Sequence, residues 1–440
     1  MNAIERRGFF RQAAAGTAAV ALAAQSTGAA EKKADKDKLV VAVIGTGGMG
    51  TGHVRQLAQR KDARIAALCD VDQERVQAAA KVVESAGGQA PRTCKDLRQV
   101  LDDKSIDAVF IATPDHWHAP AAILALDAGK HVYVEKPCCH NIREGRLMVE
   151  AVRRSGKVLQ VGTQSRSTKP VRDAIERVQK GEIGDVLVAK AWNSQRRSTI
   201  GRAQPSEPPP QLEYDLWVGP APLVPYRKNL LHGVWRWWYD FGCGDIGNDG
   251  VHDIDVACWG LGVTTHPSTV ACLGGKYFFD DDMQHADTQY SICEYPIEGS
   301  TKKKQLIFEQ RIWSPYTQDG YENGAAFYGT NGVMIVGHSV GWRLYGPRNK
   351  LIAEGSGSAD LNAHHTDFFE CIRGMRQKPA ADVMAGHLSA GIVHLSNIAA
   401  RTGRQLRFDP AKEQVVGDPE ANALVGRAYR PGHWAVPKGV

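Results

Sequence analysis

A glycine-rich turn near residue 45 has the spacing of a phosphate-binding motif. Gly45, Gly47 and Gly50 form the pattern GxGxxG directly after the apolar run 39–44, which is typical of a buried strand. A helix that starts at such a turn offers unpaired amides and the positive end of its dipole to a pyrophosphate. Gly45 would permit the turn, Gly47 would let the backbone approach the phosphates, and Gly50 would let the helix pack closely on the strand. An ordinary structural turn is the alternative.

An acidic residue completes this dinucleotide-binding pattern. Asp70 lies about twenty residues beyond the last glycine, after a second apolar run at 64–69. Its carboxylate would accept hydrogen bonds from the adenosine ribose and would repel a 2′-phosphate. The pattern therefore predicts NAD as the cofactor and makes NADP the less favoured alternative. Gly48 and Met49, inside the turn, are further predicted cofactor contacts.

Further motifs extend a likeness to one known family. They are Thr113-Pro114, the run 128–137 that ends in Glu135-Lys136-Pro137, and Gly250-Val251-His252 followed by Asp255. With these motifs the chain beyond its first residues resembles the Gfo/Idh/MocA oxidoreductases, the family of glucose-fructose oxidoreductase and inositol dehydrogenase. The resemblance implies a Rossmann domain, then an open-faced α/β domain that holds the substrate against the nicotinamide. It also implies cofactor contacts by Thr113, Pro114 and Glu135.

The same resemblance implies that Lys136 lies between cofactor and substrate. A cation there can donate to the substrate oxygen and stabilise the alkoxide character that develops as hydride leaves. Lys136 is therefore predicted to be catalytic and to contact the cofactor, with Glu135 orienting it. An exposed structural lysine after a strand is the alternative.

His252 is the second predicted catalytic residue. An imidazole with a pKa near neutrality can take the hydroxyl proton while hydride leaves. If 246–259 is helical, Asn248, His252 and Asp255 share one face, which is expected to point into the cleft. A histidine that only satisfies a buried contact is the alternative.

Asn248 departs from the pattern of the family's dehydrogenases, in which an aspartate commonly precedes the histidine by four residues. An amide can position a substrate hydroxyl but cannot act as a base. Asp249 and Asp255 are both candidates to compensate, and the residues alone leave that choice open. Asn248, Asp249 and Asp255 are all predicted to bind substrate.

Aromatic and basic residues precede this segment. Trp235 and Arg236 could offer a flat face to sugar C–H groups and a donor to hydroxyls. Core packing is the alternative. Earlier in the chain, Asp115-His116-Trp117-His118 carries two histidines without further ligands at a fixed spacing, so no metal is predicted. A cofactor-side or helix-capping role is expected for His118.

The elements that must position these residues fall into two parts. Alternating strands and helices over 38–161 predict a doubly wound parallel sheet, the NAD-binding Rossmann domain. Beyond it, residues 162–440 carry a Pro- and Trp-rich loop at 204–238 and then successive strands, which predict a C-terminal α/β domain with an open, mostly antiparallel sheet. This second domain is expected to bind substrate and, by the resemblance, to form dimers or tetramers.

The first thirty residues have the composition of an export signal. Arg6 and Arg7 precede two phenylalanines, an alanine-rich apolar stretch and small residues, a pattern that resembles the twin-arginine type. Residues 31–37 would be a charged tether, and an amphipathic N-terminal helix is the alternative. The signal predicts a periplasmic or otherwise exported protein.

Composition excludes several function classes. The net charge of +6 over 440 residues is modest and dispersed, which argues against nucleic-acid binding. No apolar run reaches the length of a membrane span. The nine cysteines lack CxxC spacing, which argues against a disulfide scaffold or zinc site.

The sequence is compatible with three functions. The leading one is an NAD-dependent oxidoreductase that acts on a sugar or polyol hydroxyl with a tightly held cofactor. The second, by resemblance to NAD-dependent glycosidases, oxidises a sugar hydroxyl transiently and so cleaves a glycosidic bond without net redox change. The third is a non-catalytic cofactor-binding protein.

Overall fold

A computed structural model describes residues 38–440 of the chain. The predicted export signal at 1–30 and the tether at 31–37 lie outside the described residues.

The first domain is built on a parallel sheet of six strands. The strands are β1 Leu39–Ile44, β2 Ala63–Cys69, β3 Arg92–Cys94, β4 Ala108–Ile111, β5 His131–Val134 and β6 Leu159–Val161. Their order is β3-β2-β1-β4-β5-β6, which is the order of nucleotide-binding doubly wound sheets. The central strands are continuous apolar runs because helices cover both faces of the sheet. The predicted parallel α/β sheet is confirmed.

Helices connect these strands. They are α1 Gly48–Ala58, α2 Gln73–Ser85, α3 Arg98–Leu101, α4 Asp115–Asp127 and α5 Ile142–Ser155. Asp72 caps the start of α2, and Asn141 caps the start of α5, each by accepting backbone amide hydrogen bonds. Because all strands run the same way, the loops after β1, β2, β4 and β5 meet at one edge of the sheet.

The second domain is built on ten mostly antiparallel strands. They are β7 Val186–Asn193, β8 Thr269–Gly275, β9 Thr288–Pro296, β10 Lys303–Arg311, β11 Asn323–Gly329, β12 Val333–Gly337, β13 Gly341–Gly346, β14 Lys350–Ser356, β15 Leu406–Asp409 and β16 Gln414–Val415. The order is β14-β13-β12-β11-β7-β10-β9-β8-β15-β16, and β7 with β10 is a parallel pair. The predicted open, mostly antiparallel sheet is confirmed.

Six helices accompany this sheet. They are α6 Lys169–Gln179, α7 Tyr214–Val218, α8 Val251–Leu261, α9 Leu361–Ile372, α10 Val383–Thr402 and α11 Pro419–Ala423. Helices α8 and α10 pack against one sheet face. Helix α10 is long and apolar enough to cross a membrane, but 78% of its most apolar window is buried inside the protein, as in a core helix.

Late segments of the chain return to the first domain. Phe368 in α9 packs edge-on against Phe110 and Tyr133 of the parallel sheet. The C-terminal segment also crosses back, since Trp434 lies against Trp117. These late segments therefore pack against the apolar cores on both faces of the parallel sheet.

Candidate active site

The glycine turn has the geometry of a phosphate-binding loop. Gly45 has a φ of +85°, and a Cβ there would lie 2.6 Å from the carbonyl oxygen of Ala112. A Cβ on Gly50 would collide with the carbonyl oxygen of Gly45, so the start of α1 can lie directly on the strand end only with glycine. No side chain caps α1 at Gly47. Its free amides and positive dipole end therefore remain available to an anion.

Asp70 lies at the end of β2 beside this loop. Its carboxylate accepts hydrogen bonds from the Thr46 amide at 2.6 Å and from the Asp72 amide at 3.0 Å. Burial raises the pKa of Asp70, although these hydrogen bonds and the nearby Arg75 oppose that effect. Arg75, on α2, was not anticipated from the sequence next to Asp70, and it also lines the cavity described next.

A cavity of about 710 Å³ runs between the two domains. This volume lies within the range of roughly 300–1,000 Å³ that is usual for ligand sites. Most of the predicted site residues line it, namely Gly45, Gly47, Gly48, Met49, Asp70, Thr113, Pro114, His118, Glu135, Lys136, Trp235, Arg236, Asn248, Asp249 and His252. The loop, the acid and the two predicted catalytic side chains therefore share one space. An NAD molecule fits this donor set, with the pyrophosphate at α1 and the ribose at Asp70.

Lys136 contacts Asn248 across the cavity. Its Nζ donates to the backbone carbonyl of Asn248 at 2.7 Å and to the side-chain Oδ1 at 3.3 Å. Glu135 is buried and accepts hydrogen bonds from His53 and Gln164 at 3.0 Å each. Glu135 therefore reaches Lys136 only through the backbone amide, at 3.2 Å.

His252 is 9% exposed and lines the cavity from the start of α8. Burial, reinforced by the charges of Lys136 and His338, lowers the pKa of His252 well below its ordinary value. The imidazole is therefore neutral at neutral pH and can accept a proton. His338 packs edge-on against it, and Asp253 overcomes the effect of burial to raise the pKa of His338.

The segment before α8 is not a regular α-helix. Residues Ile246–Gly250 form a π-helical turn that carries Asn248 and Asp249 to the cavity wall. Wide turns of this kind occur often at functional sites. The predicted helix over 246–259 is thus present but begins with a turn that sequence spacing does not reveal.

The structure corrects the expected position of Asp255. Its side chain is fully buried and does not line the cavity. Arg166 donates two hydrogen bonds to the Asp255 carboxylate, at 2.6 and 2.9 Å, and Ser389 donates a third at 2.6 Å. The reason is that Asp255 lies one turn deeper along α8, where a carboxylate needs a charged partner. The predicted common face of Asn248, His252 and Asp255 is therefore wrong for its third member.

Gly50 also lies outside the cavity lining, because it makes the helix-to-strand contact predicted for it. His118 bridges two strand ends, with its ring nitrogens 2.7 Å from the Pro137 carbonyl and 2.8 Å from the Thr113 carbonyl. Its neighbour His116 is bonded to the Trp217 carbonyl, and burial lowers the pKa of His116 to about 3. These two histidines hold backbone and do not converge on a common point.

One group elsewhere has the composition of a metal site. His266, His387 and Glu413 are buried with their nitrogen and oxygen atoms within 4.8 Å of one another. Arg146 donates to the Oε1 atom of Glu413 at 2.6 Å, so the positive charge of its guanidinium already lies beside this group.

All nine cysteines are buried free thiols.

Two aromatic residues that line the cavity were not anticipated from the sequence. Trp217 comes from the long loop, and Trp434 comes from the C-terminal segment. Arg98 lies 4.5 Å over the ring of Trp434 and steadies it. The one available signal was the high aromatic content of the 204–238 loop.

Comparisons with known proteins agree with this architecture. Residues 39–163 match the model described as the oxidoreductase family with an NAD-binding Rossmann fold. Residues 188–289 and 349–436 match the C-terminal alpha/beta domain of the same oxidoreductase family.

Among solved structures, levoglucosan dehydrogenase in complex with NADH and levoglucosan is 20% identical, with a TM-score of 0.64 over 84% of this chain and 99% of the other. An aldose-aldose oxidoreductase from Caulobacter crescentus complexed with glycerol is 18% identical, with a TM-score of 0.65 over 84% of this chain and all of the other (100%). These likenesses show a common fold.

Curated relatives are matched over less than half of their length. Glycosyl hydrolase family 109 protein 2 from Shewanella sp. (strain ANA-3) is 34% identical over 33% of this chain and 36% of the relative. An alpha-N-acetylgalactosaminidase from Shewanella oneidensis is 29% identical over 43% of this chain and 46% of the relative. With the cavity, the glycine turn and both family matches in agreement, the chain belongs to the Gfo/Idh/MocA family of NAD-binding oxidoreductases.

Proposed function

We propose that this protein oxidises or reduces a hydroxyl-bearing carbon of a sugar or polyol with NAD as the hydride carrier. The observation that carries the proposal is the placement of Lys136 and His252 in one cavity with the glycine turn. NAD, when bound, supplies the hydride acceptor or donor. The side chains of the protein then have to hold the substrate and manage its proton.

Lys136 and His252 divide that work. The Lys136 ammonium donates to the substrate oxygen in place of its present bond to Asn248 and stabilises the developing alkoxide. The neutral imidazole of His252 takes the hydroxyl proton. Its lowered pKa keeps it in the accepting form at neutral pH.

The cavity wall suits a polyhydroxylated substrate. Trp235 offers an aromatic face, with the guanidinium of Arg236 5.7 Å over its ring. Asn248 and Asp249 add an amide and a carboxylate to the same wall. The named ligands of the similar structures, levoglucosan and glycerol, are also polyhydroxy compounds.

The cofactor is proposed to stay bound between turnovers, because the long loop is hydrogen-bonded to the segment that follows Asp70, at the adenosine end of the proposed cofactor groove. We call this junction the clasp: residues 211–213 joined to 71–73. The Glu213 amide donates to the Val71 carbonyl at 2.9 Å, and the Gln73 amide donates to the Gln211 carbonyl at 3.1 Å. A retained cofactor would suit an exported enzyme, since a folded protein can carry NAD through the twin-arginine route. Export itself is proposed from the residues at 1–30.

Redox-neutral cleavage of a glycoside is the second candidate. Two observations favour it: the glycosyl hydrolase names of the curated relatives and the amide at Asn248. In this version the oxidised sugar would lose its leaving group by elimination, water would add in its place, and the hydride would return to the same sugar.

One experiment separates the candidates. The purified protein is incubated with a panel of free sugars and glycosides, the products are identified by mass spectrometry, and bound nicotinamide is followed at its reduced-state absorbance. An oxidised or reduced sugar supports the oxidoreductase, and a released aglycone with unchanged cofactor supports cleavage. If no compound reacts and none changes the nicotinamide absorbance, the protein is a cofactor-binding protein without this activity.

We also propose a homo-oligomer that forms through the sheet face opposite α8 and α10. Large apolar side chains lie on that face, with Leu273 77%, Tyr290 44% and Ile292 43% exposed. Exposed apolar patches of this kind mark interfaces. Light scattering should find a dimer or tetramer, and Ile292→Lys should dissociate it. A monomeric wild type would contradict this assembly.

A further inference from the structure

Asn248 sits between a cation and two carboxylates on the cavity wall. Its Nδ2 atom lies 3.2 Å from Asp245 Oδ1 and 3.3 Å from Asp249 Oδ1 and donates to both. Its Oδ1 accepts from Lys136 Nζ at 3.3 Å. The two ends of this amide thus have opposite partners, which only an amide can satisfy together.

Arg197 balances the two carboxylates. Its Nε donates to both oxygens of Asp245, at 3.0 and 3.2 Å, and its Nη2 donates to Asp249. Asn193 donates to Asp245 at 2.9 Å, so this fully buried carboxylate has three different donors. Removing the guanidinium would leave Asp245 buried without its hydrogen-bonded cation.

The four charged groups that meet at Asn248 sum to zero. Lys136 and Arg197 are cations, while Asp245 and Asp249 are carboxylates. Two more cations act on them from nearby, Arg236 on Asp245 and His338 on Asp249, and these face the carboxylates of Asp115 and Asp253 in turn. Burial raises the pKa of Asp245, and Arg197 offsets part of that effect. For Asp249, burial acts in the same upward direction, but Lys136 and Arg197 together lower its pKa. An aspartate at position 248 would add a third carboxylate at hydrogen-bond distance from the other two and would bring no cation with it.

We propose that Asp249 supplies the carboxylate of the reaction site, that Arg197 and Asp245 are positioning residues that fix it, and that Asn248 must be an amide because it bridges this pair to Lys136. The inference rests on the proposed function. It also identifies which acid stands in for the missing aspartate, because Asp249 lines the cavity and Asp255 does not. The substrate class that fits is a sugar or polyol with adjacent hydroxyls: one faces Lys136, and its neighbour donates to Asp249.

The first test needs no substrate. Asn248→Asp should lower the melting temperature at pH 8 by about 3 °C relative to the wild type, because a third carboxylate then lies beside Asp245 and Asp249 without an added cation. This deficit should shrink as the pH falls to 5, where one of the three can take a proton. The double variant Asn248→Asp/Asp249→Asn restores the charge balance and should recover the loss. Asn331→Asp, an exposed amide outside the cavity, is the matched control.

The second test uses the sugar that reduces the bound cofactor in the wild type. Asn248→Asp should slow that reduction about a hundredfold, and the double variant should stay at least as slow although its melting temperature recovers, because it lacks the Asp249 carboxylate. Arg197→Met should slow it by a similar factor, whereas Arg197→Lys should retain more of the rate. Replacing an arginine with a merely structural role would not change the pH dependence of the rate. Arg197→Met should move both limbs of this pH–rate profile to higher pH, because negative charge is left in excess.

The outcomes separate this inference from the proposed function. If no sugar or glycoside reacts with the wild type, the proposed function fails, and the melting temperatures still decide the charge network. If Asn248→Asp melts at the wild-type temperature at pH 8, or if the double variant does not regain the lost melting temperature, the charge network is overturned. An active wild type whose rate is unchanged in Arg197→Met would remove Arg197 from its positioning role.

Discussion

The Lys136 ammonium lies 2.7 Å from the backbone carbonyl oxygen of Asn248, so the π-helical turn holds the cation where a substrate oxygen would displace it. Replacing this lysine should therefore affect turnover more than cofactor binding. Lys136→Met keeps the side-chain length but removes the charge, and it should slow turnover by about a hundredfold or more. Bound NAD, measured after extraction, should stay near the wild-type amount.

The matched control for this substitution is Lys190→Met, on the second sheet, where Lys190 pairs with Glu309 outside the cavity. It should retain the wild-type rate. Near-normal turnover in Lys136→Met would exclude the lysine from the mechanism.

His252 should determine the acid side of the pH profile. Because its pKa lies well below the ordinary value, the imidazole is already neutral at pH 6.5 and stays able to accept a proton as the solution becomes more acidic. The rate should thus remain level from pH 8 to about pH 6.5, the ordinary pKa of histidine, and decline only below it. His252→Gln should lose about a hundredfold in rate and lose this acid limb.

Stopped-flow absorbance of the bound nicotinamide measures these profiles. His131→Gln serves as the control, because His131 begins β5, at the end of that strand away from Lys136. A wild-type acid limb centred above pH 7 would contradict the role of a neutral His252.

Cofactor choice should depend on Asp70. NAD should be the nucleotide found in the purified protein, and NADP should bind at least about tenfold more weakly because its 2′-phosphate meets this carboxylate. Asp70→Asn removes the negative charge but can keep the hydrogen bonds to the loop. Arg75 then remains as a nearby cation, and the preference for NAD over NADP should become smaller. Fluorescence titration of cofactor-free protein measures both affinities. Equal or stronger NADP binding to the wild type would overturn the assignment.

Acid should destabilise the protein through its buried histidines. Burial lowers the pKa of His116, His285 and His394 to about 3 in each case. The unfolded chain binds these protons below about pH 6.5, whereas the folded chain does not, so the full stability exists above that pH and is lost as the pH falls. At pH 5 each of these histidines should lower the free energy of unfolding by about 2 kcal/mol.

Denaturant titrations at pH 7.5 and pH 5 measure this loss. His394→Gln should reduce the pH dependence by the share of one histidine, whatever its effect at pH 7.5. A free energy of unfolding that is independent of pH across this range would show that the histidines are not buried as described.

Release of NAD should be limited by the clasp. Glu213→Pro removes the amide that bonds to the Val71 carbonyl, and the loss of one such hydrogen bond should speed NAD dissociation roughly fivefold. Glu213→Gln keeps that amide and loses only the exposed ion pair with Lys95, so its rate should stay within about twofold of the wild type. Dissociation is followed by trapping released NAD with an excess of a dehydrogenase. Equal rates in all three proteins would show that the clasp does not retain the cofactor.

Local patterns in the sequence were enough to predict the glycine turn, the parallel sheet and the open second sheet. An apolar run such as 39–44 predicts a buried strand, and three glycines next to it predict a phosphate-binding loop. Both features depend only on neighbours within a few residues. Lys136 and His252 were found through motifs of the same local kind. The family and the NAD cofactor followed from them.

Only the tertiary structure decided what surrounds those residues. Asp249 and Asp255 are six positions apart and equally acidic, yet the first lines the cavity and the second is paired with Arg166. Arg197 and Trp434 reach the site or its wall from distant segments, and no spacing rule connects them to it. The physical reason is that a charge is compensated by whatever the folded chain brings within about 4 Å, and that proximity is created by packing between segments far apart in sequence.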